Sequence, residues 1–282
     1  MNENKITKAI MILYHAECND GFGAAWAAWK KFGDKADYIP VILGKYPNNF
    51  INKIIYTLDL TLPKEITMDL LKSNKRLTSI DHHISTKDIT EMTQNYSFDN
   101  NHSGAVLTWK YFNPDKPVPK LLLLIEDSDI WKWEYPETNN FIASLSLFDY
   151  DFKTWDSISL DLEDPEKIKE YLFKGETINT YFDKIAISLI KHAQKVEFEG
   201  YQVYSANVGH PVKFFVIKAL MKRYHYFIIT WVQEGDEIHA SLRSDGSVDV
   251  SEIAKKYGGG GHKNAAGFNF PADQPFPWKI IK

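Results

Sequence analysis

Asp81, His82 and His83 follow the run Arg76–Ile80, which has the composition of a strand, so a carboxylate and two imidazoles stand at a strand's carboxyl end. Carboxylate oxygen and imidazole nitrogen together suit a hard or borderline divalent ion such as Mn2+, Mg2+ or Zn2+. Taken alone the tripeptide is more plainly a polar turn, and what raises it is company. His15 ends the apolar run Ala9–Tyr14 and is followed by Cys18, Asp20 and Gly21, while Asp59 ends the run Lys53–Leu58. Asp20 could equally cap the helix that follows it. Further on, Asp127 and Asp129 precede Trp131 and Trp133, which reads either as another ligand source beside an aromatic wall or as an acidic turn over core tryptophans. Cys18 is the single cysteine, so neither a thiolate-rich zinc site nor an intrachain disulfide can form.

The elements that must position these groups alternate. Strands are expected at Ala9–Tyr14, at Tyr38–Leu43 (an edge strand, because of Pro40), at Lys53–Leu58 and at Arg76–Ile80. Between and after them, helices are expected at Phe22–Phe32, Pro63–Ser73, Asn101–Phe112 and Val118–Glu126. Parallel strands joined by right-handed crossovers bring all their carboxyl ends to one edge, where open α/β sheets bind ligands. Phe148–Glu163 reads as irregular and acidic, and a long helix starts at Asp164-Pro165. Beyond it come a strand at Tyr201–Val208, a helix at Phe214–Arg223, a hairpin of Tyr226–Val232 with Glu237–Leu242, and a helix at Val250–Tyr257. The expected organisation is a metal-binding catalytic domain over 1–150, a helical connector over 151–197 and a smaller α/β domain over 198–282. His102 reads as lying at a solvated helix start, and His192, His210, His225 and His239 as structural or surface residues.

Composition narrows the class. The 282 residues are 44% hydrophobic and 25% charged, which describes a folded globular chain with a substantial core. A formal charge of −4 gives no global field for holding long duplex nucleic acid. The lack of a signal-peptide pattern or a long apolar span, with one cysteine, leads us to expect a cytoplasmic protein with no membrane partner. The sequence leaves open whether it forms a homo-oligomer.

Phased as His15 with Asp20-Gly21, then Asp59, then Asp81-His82-His83, then Asp127, the first half resembles the DHH phosphoesterase superfamily. The second half adds Ser241-Leu242-Arg243-Ser244 and the run Gly258-Gly259-Gly260-Gly261-His262-Lys263-Asn264-Ala265-Ala266-Gly267, which looks like the carboxyl-terminal domain associated with that superfamily. The resemblance implies a mainly parallel α/β domain with helices on both faces and hydrolysis of a phosphate ester with Mn2+ or Mg2+. In that pattern His15, Asp20, Asp59, His82 and Asp127 bind metal, with Asp59 bridging. Asp81 orients a ligand and His83 donates a proton or hydrogen bond at the leaving oxygen. Arg243, His262 and the backbone of Gly259, Gly260 and Gly261 hold a substrate phosphate, the glycine turn being expected to open onto a helix. Many relatives carry Asp-x-Asp in the first loop, whereas Cys18 occupies the first of those positions here. Either a thiolate replaces the carboxylate or one metal position is weak. The expected substrate is a short single-stranded nucleic acid or a nucleotide, with polyphosphate hydrolysis or nucleotide sensing as alternatives.

Overall fold

The structure, a computed structural model, describes residues 8–47, 49–209 and 212–281. The chain divides into two units, Met1–Glu176 and Thr177–Lys282. In the first, β1 (Ile10–His15), α1 (Asn19–Phe32), β2 (Ala36–Val41), β3 (Ile54–Leu58), α2 (Lys64–Ser73), β4 (Arg76–Asp81), α3 (Lys87–Thr90) and β5 (Asn95–Phe98) follow in order. Then come α4 (Gly104–Phe112), α5 (Lys120–Asp129), α6 (Thr138–Leu145), α7 (Phe152–Asp161) and α8 (Pro165–Leu189), the last containing the boundary between units.

The five strands are parallel in the order β2-β1-β3-β4-β5, with Pro40 accommodated in the edge strand β2. Because successive side chains on a strand point to opposite faces, β1 serves two cores. Ile12 and Tyr14 pack with Phe22, Trp26, Leu122 and Trp155, whereas Met11 and Leu13 pack with Leu62, Leu70 and Leu77. Helices therefore cover both faces, as expected for a parallel sheet. The alanines of α1 are all buried, and Trp26 stacks on Trp109 with ring centroids 5.7 Å apart. Each such fully buried large side chain contributes about 1.5 to 3 kcal/mol.

Strand order reverses at β1, whose neighbours β2 and β3 leave on opposite sides. The loops leaving β1 and β3 consequently diverge, opening a crevice at their carboxyl ends. His15 closes β1, Asp59 follows β3 and Asp81 closes β4.

Two expectations in this unit are corrected. Phe148–Glu163 is not irregular: Asp151 caps α7 by accepting from Thr154 N at 2.8 Å, and Trp155 and Ile158 are buried. Its acidic residues lie outside, Asp156 meeting Lys30. Helix α5 does not stop at Glu126 but continues to Asp129. Residues two apart on a helix diverge by about 200°, so Asp127 and Asp129 cannot face the same place.

The second unit contains β6 (Gln194–Phe198), β7 (Tyr201–Asn207), α9 (Lys213–Met221), β8 (Phe227–Glu234), β9 (Glu237–Ser244), α10 (Val250–Lys256), β10 (Gly260–His262), β11 (Ala265–Pro271) and β12 (Lys279–Ile280). Its sheet runs β10-β11-β9-β8-β7-β6-β12, with β7 and β8 parallel and the other pairs antiparallel. The expected hairpin forms around Gly235-Asp236, Gly235 having φ of 61°. The glycine run departs from expectation. Gly258 N and Gly259 N donate to Lys255 O and Ala254 O, closing α10, and Gly260–His262 pairs with β11. The glycines thus end a helix and begin a strand.

Gly175 in α8 lies against the backbone of Asn140, where an added Cβ would come 1.7 Å from the carbonyl oxygen. Alanine favours a helix interior over glycine by about 1 kcal/mol, but no backbone oxygen can yield that far. Gly175→Ala is therefore expected to destabilise the protein by about 1 to 3 kcal/mol, read as a lower denaturation midpoint in urea. An unchanged or raised midpoint would contradict this packing.

Candidate metal centre

The strand ends bring the expected residues together around Asp59. Its Oδ2 lies 3.3 Å from His15 Nδ1, and its Oδ1 lies 3.2 Å from His82 Nε2. His82 Nε2 also stands 3.6 Å from Asp129 Oδ2 and 3.8 Å from Asp20 Oδ2. Donor atoms of His15, Cys18 and Asp59 fall within 4.8 Å of one another, as do those of Asp20, His82 and Asp129. The carboxylate of Asp59 belongs to a residue only 2% exposed, and its Oδ1 makes no well-aligned hydrogen bond among the described residues, its nearest polar neighbours being the imidazoles of His82 at 3.2 Å and His83 at 3.9 Å. A buried carboxylate costs free energy unless positive charge or donors meet it, and here only imidazoles do.

The surroundings fix these groups. Asp20 does not cap its own helix; its carboxylate accepts from Gly104 N at 2.6 Å and Ala105 N at 2.9 Å, satisfying the first amides of α4. Ser103 Oγ takes the next, from Val106 N. Gly104 has to be glycine, because a Cβ there would lie 2.6 Å from Asp59 Cβ. Asp59 itself adopts φ of 52°, a left-handed conformation held by its N–H donating to Ile80 O. Asp81 is fully used in hydrogen bonding: Oδ1 accepts from His82 N and meets His83 Nδ1 at 2.7 Å, and Oδ2 accepts from Thr61 Oγ1 and Thr86 Oγ1. It therefore orients His83 instead of facing a ligand.

Charge is crowded here. Burial, then the neighbouring Asp59 and Asp129, push the Asp20 carboxyl well above its ordinary range. Burial and Asp59 push Asp129 up to about 6. For Asp59 burial works in the same direction, but the imidazoles of His15, His82 and His83 prevail and hold it below the usual carboxylate range. The hydrogen bond to Asp81 prevails over burial at His83, raising it to about 9. Burial and the nearby carboxylates push the Cys18 thiol up to about 12. A carboxylate- and imidazole-lined site whose acids repel one another fits a divalent cation in donor type and in charge.

One expected ligand is displaced. Asp127 points away from the cluster and accepts from Glu134 N at 2.7 Å, Tyr135 N at 3.2 Å and Thr138 Oγ1 at 2.5 Å. Asp129, on the other side of the same helical turn, faces His82. The Asp127 carboxylate instead secures the loop that carries Trp131 and Trp133, whose φ values are 65° and 54°. Trp131 is 62% exposed, and the two indoles meet edge to face at 5.2 Å. They are not core residues. His102, expected at a solvated helix start, is part-buried there, its Nδ1 lying 3.0 Å from Glu126 Oε2.

In the second unit, Arg243 and Ser241 share one face of β9. Lys213, which the sequence reading overlooked, reaches that face from α9 and donates to Ser241 Oγ at 2.5 Å. Burial and Arg243 shift Lys213 downward, and burial does the same to Arg243. Neither makes an ion pair within 4.0 Å among the described residues, although the Glu234 carboxylate acts on Lys213 in the opposite direction. Gly259, Gly260 and Gly261 lie at the turn into β10 and along it, while the side chain of His262 and the whole of His210 lie outside the described residues. Lys213 stands in no motif, and only its position opposite β9 reveals it.

Comparison with known proteins agrees with both halves. A family model described as the DHHA1 domain matches residues 208–276. The uncharacterized protein R106 of Acanthamoeba polyphaga mimivirus is 30% identical over 292 aligned residues, covering 92% of this chain and 67% of that protein. Oligoribonuclease NrnB of Bacillus subtilis (strain 168) is 27% identical over 187 residues, covering 58% of this chain but 42% of that protein. Among solved structures, RecJ of Thermus thermophilus in complex with Mn2+ superposes with a TM-score of 0.53 at 13% identity, covering 92% of this chain and 49% of RecJ. With Asp81-His82-His83 closing β4 of a parallel sheet and the DHHA1 domain following in the same chain, this protein belongs to the DHH phosphoesterase superfamily.

Proposed function

We propose that the chain is a divalent-metal-dependent phosphodiesterase that hydrolyses short single-stranded oligonucleotides. The observation carrying this reading is the cluster about the buried Asp59, where carboxylates and imidazoles converge within 4.8 Å of one another in sets that could hold a metal ion. His15 and Asp59 would hold one ion, and Asp20, His82 and Asp129, with Asp59 shared, the other. Such ions polarise a phosphoryl oxygen and lower the pKa of water. The Mn2+ complex of RecJ supports manganese as the first ion to try.

The chain's own groups supply the rest. His83, raised to about 9, keeps its proton at neutral pH. Since Nδ1 faces Asp81, Nε2 is the atom that can donate to a leaving oxygen. Lys213 and Arg243 form a half-buried cationic pair suited to a substrate phosphate. The exposed indole of Trp131 offers a face on which a base can stack, worth about 1 to 3 kcal/mol. The name of the Bacillus relative, an oligoribonuclease, supports a short RNA substrate, and the −4 charge argues against long polymers.

The direct test offers a five-nucleotide RNA, the matching DNA, an abasic strand, a cyclic dinucleotide and polyphosphate, each with Mn2+, Mg2+ or EDTA. Metal-dependent mononucleotide release from the pentamers, weaker from the abasic strand, is expected. Preferential cleavage of polyphosphate would overturn the proposal.

Two neighbouring acids should behave differently. Asp129→Asn is expected to reduce turnover to background and to remove much of the rise in Tm that Mn2+ gives the wild type, with the Mn2+-free Tm unchanged or higher because one repelling carboxylate is gone. Asp127→Ala leaves three donors unsatisfied and should cost about 1 to 3 kcal/mol of stability while Mn2+ still raises Tm. The reverse pattern would return the ligand role to Asp127.

For the cationic pair, Arg243→Ala should weaken substrate binding by about 1.5 to 3 kcal/mol, and Lys213→Ala should act in the same direction. KM and kcat/KM unaltered in both variants would exclude them as phosphate contacts.

A further inference from the structure

We propose that Cys18 is itself a metal ligand, making one of the two ion positions a mixed nitrogen, sulfur and oxygen site that selects a thiophilic ion such as Zn2+ or Fe2+ over Mg2+; this rests on the metal-dependent reading above. Cys18 occupies the N-cap position of α1, three residues beyond His15, and its donor atom groups with those of His15 and Asp59 within 4.8 Å. Asp59, 2% exposed, with Oδ2 3.3 Å from His15 Nδ1 and an Oδ1 that makes no well-aligned hydrogen bond, is the independent sign that a ligand belongs in this cluster. The thiol has also not been absorbed into the apolar core. With Asp20, Ser128, Asp129, Ile142 and Tyr150 it lines a cavity of about 280 Å3, so an ion can reach it from solvent.

Donor chemistry distinguishes the two positions. His15, Cys18 and Asp59 offer imidazole, thiol and carboxylate, whereas Asp20, His82 and Asp129 offer two carboxylates and an imidazole. Sulfur favours borderline and soft ions, and Mg2+ prefers all-oxygen surroundings. On binding, the Sγ–H bond breaks, the proton passes to solvent, and the sulfur lone pair takes the place of one water on the hydrated ion. A centre holding unlike ions follows: a thiophilic ion beside Cys18 and Mn2+ or Mg2+ beside Asp20 and Asp129.

The chain has a single cysteine, so any thiolate-to-metal charge-transfer absorption must come from Cys18. The experiment titrates the full-length protein, stripped of metal, with Co2+ and follows absorbance and bound cobalt in parallel. A sulfur-to-cobalt band that grows to a plateau with the first equivalent and is lost in Cys18→Ser is expected. Cys18→Asp should still bind two ions per chain, lose the band, and take up Mg2+ more readily relative to Zn2+ when both are offered. Cobalt bound without the band in the wild type, with oligonucleotide cleavage intact, would overturn the proposal and leave the phosphodiesterase reading standing. Failure to bind any ion, with no cleavage, would overturn both.

Discussion

Everything in the first unit answers to one electrostatic problem. Asp20 and Asp59 are buried, the more exposed Asp129 joins them at the edge of the cluster, and no lysine or arginine is paired with any of them among the described residues. Burial first, and then the neighbouring carboxylates, drive Asp20 and Asp129 upward. The fold tolerates this because the backbone takes part of the load. Asp20 is held by the first two amides of α4, where unpaired N–H groups and the helix dipole favour negative charge. Asp59 is surrounded by imidazoles instead. What they leave uncompensated is an excess of negative charge of the kind a divalent ion removes.

The scaffold uses two further aspartates as fasteners, and this separates position from chemistry. Asp81 lies in the motif that most attracts notice, yet its oxygens are committed to two hydroxyls, two backbone amides and His83. Its work is to hold His83 in one orientation and keep it protonated. Asp127 does the same for the loop after α5, keeping Trp131 and Trp133 at backbone angles that L residues seldom adopt. Strain of that kind persists only where the surrounding structure over-determines it.

Continuous runs of strand-forming residues ending on His or Asp made the parallel sheet readable from sequence, because β1 and β3 are mostly apolar, β4 is rich in β-branched residues, and His15, Asp59 and Asp81 stand at their carboxyl ends. What failed to show was whatever depends on direction around a helix. Asp127 and Asp129 look equivalent as letters and were separable only once α5 was seen to extend through both. The role of Asp20 was hidden for a different reason. Its partners, Gly104 and Ala105, lie more than eighty residues away, and nothing local announces a cap supplied to another helix. Helix α7 was overlooked because its acidic residues disguised an apolar face built on Trp155 and Ile158. The glycine run suggested a phosphate loop, but two of its amides finish a helix.

The second unit poses the opposite electrostatic problem. Lys213 and Arg243 are half-buried, and burial and Arg243 depress Lys213 more than the Glu234 carboxylate raises it. Burying two like cations side by side is unfavourable unless an anion regularly joins them. The first unit has a surplus of desolvated carboxylate and the second a surplus of desolvated cation, and neither surplus contributes to folding. A cation for one and a phosphate for the other resolve both.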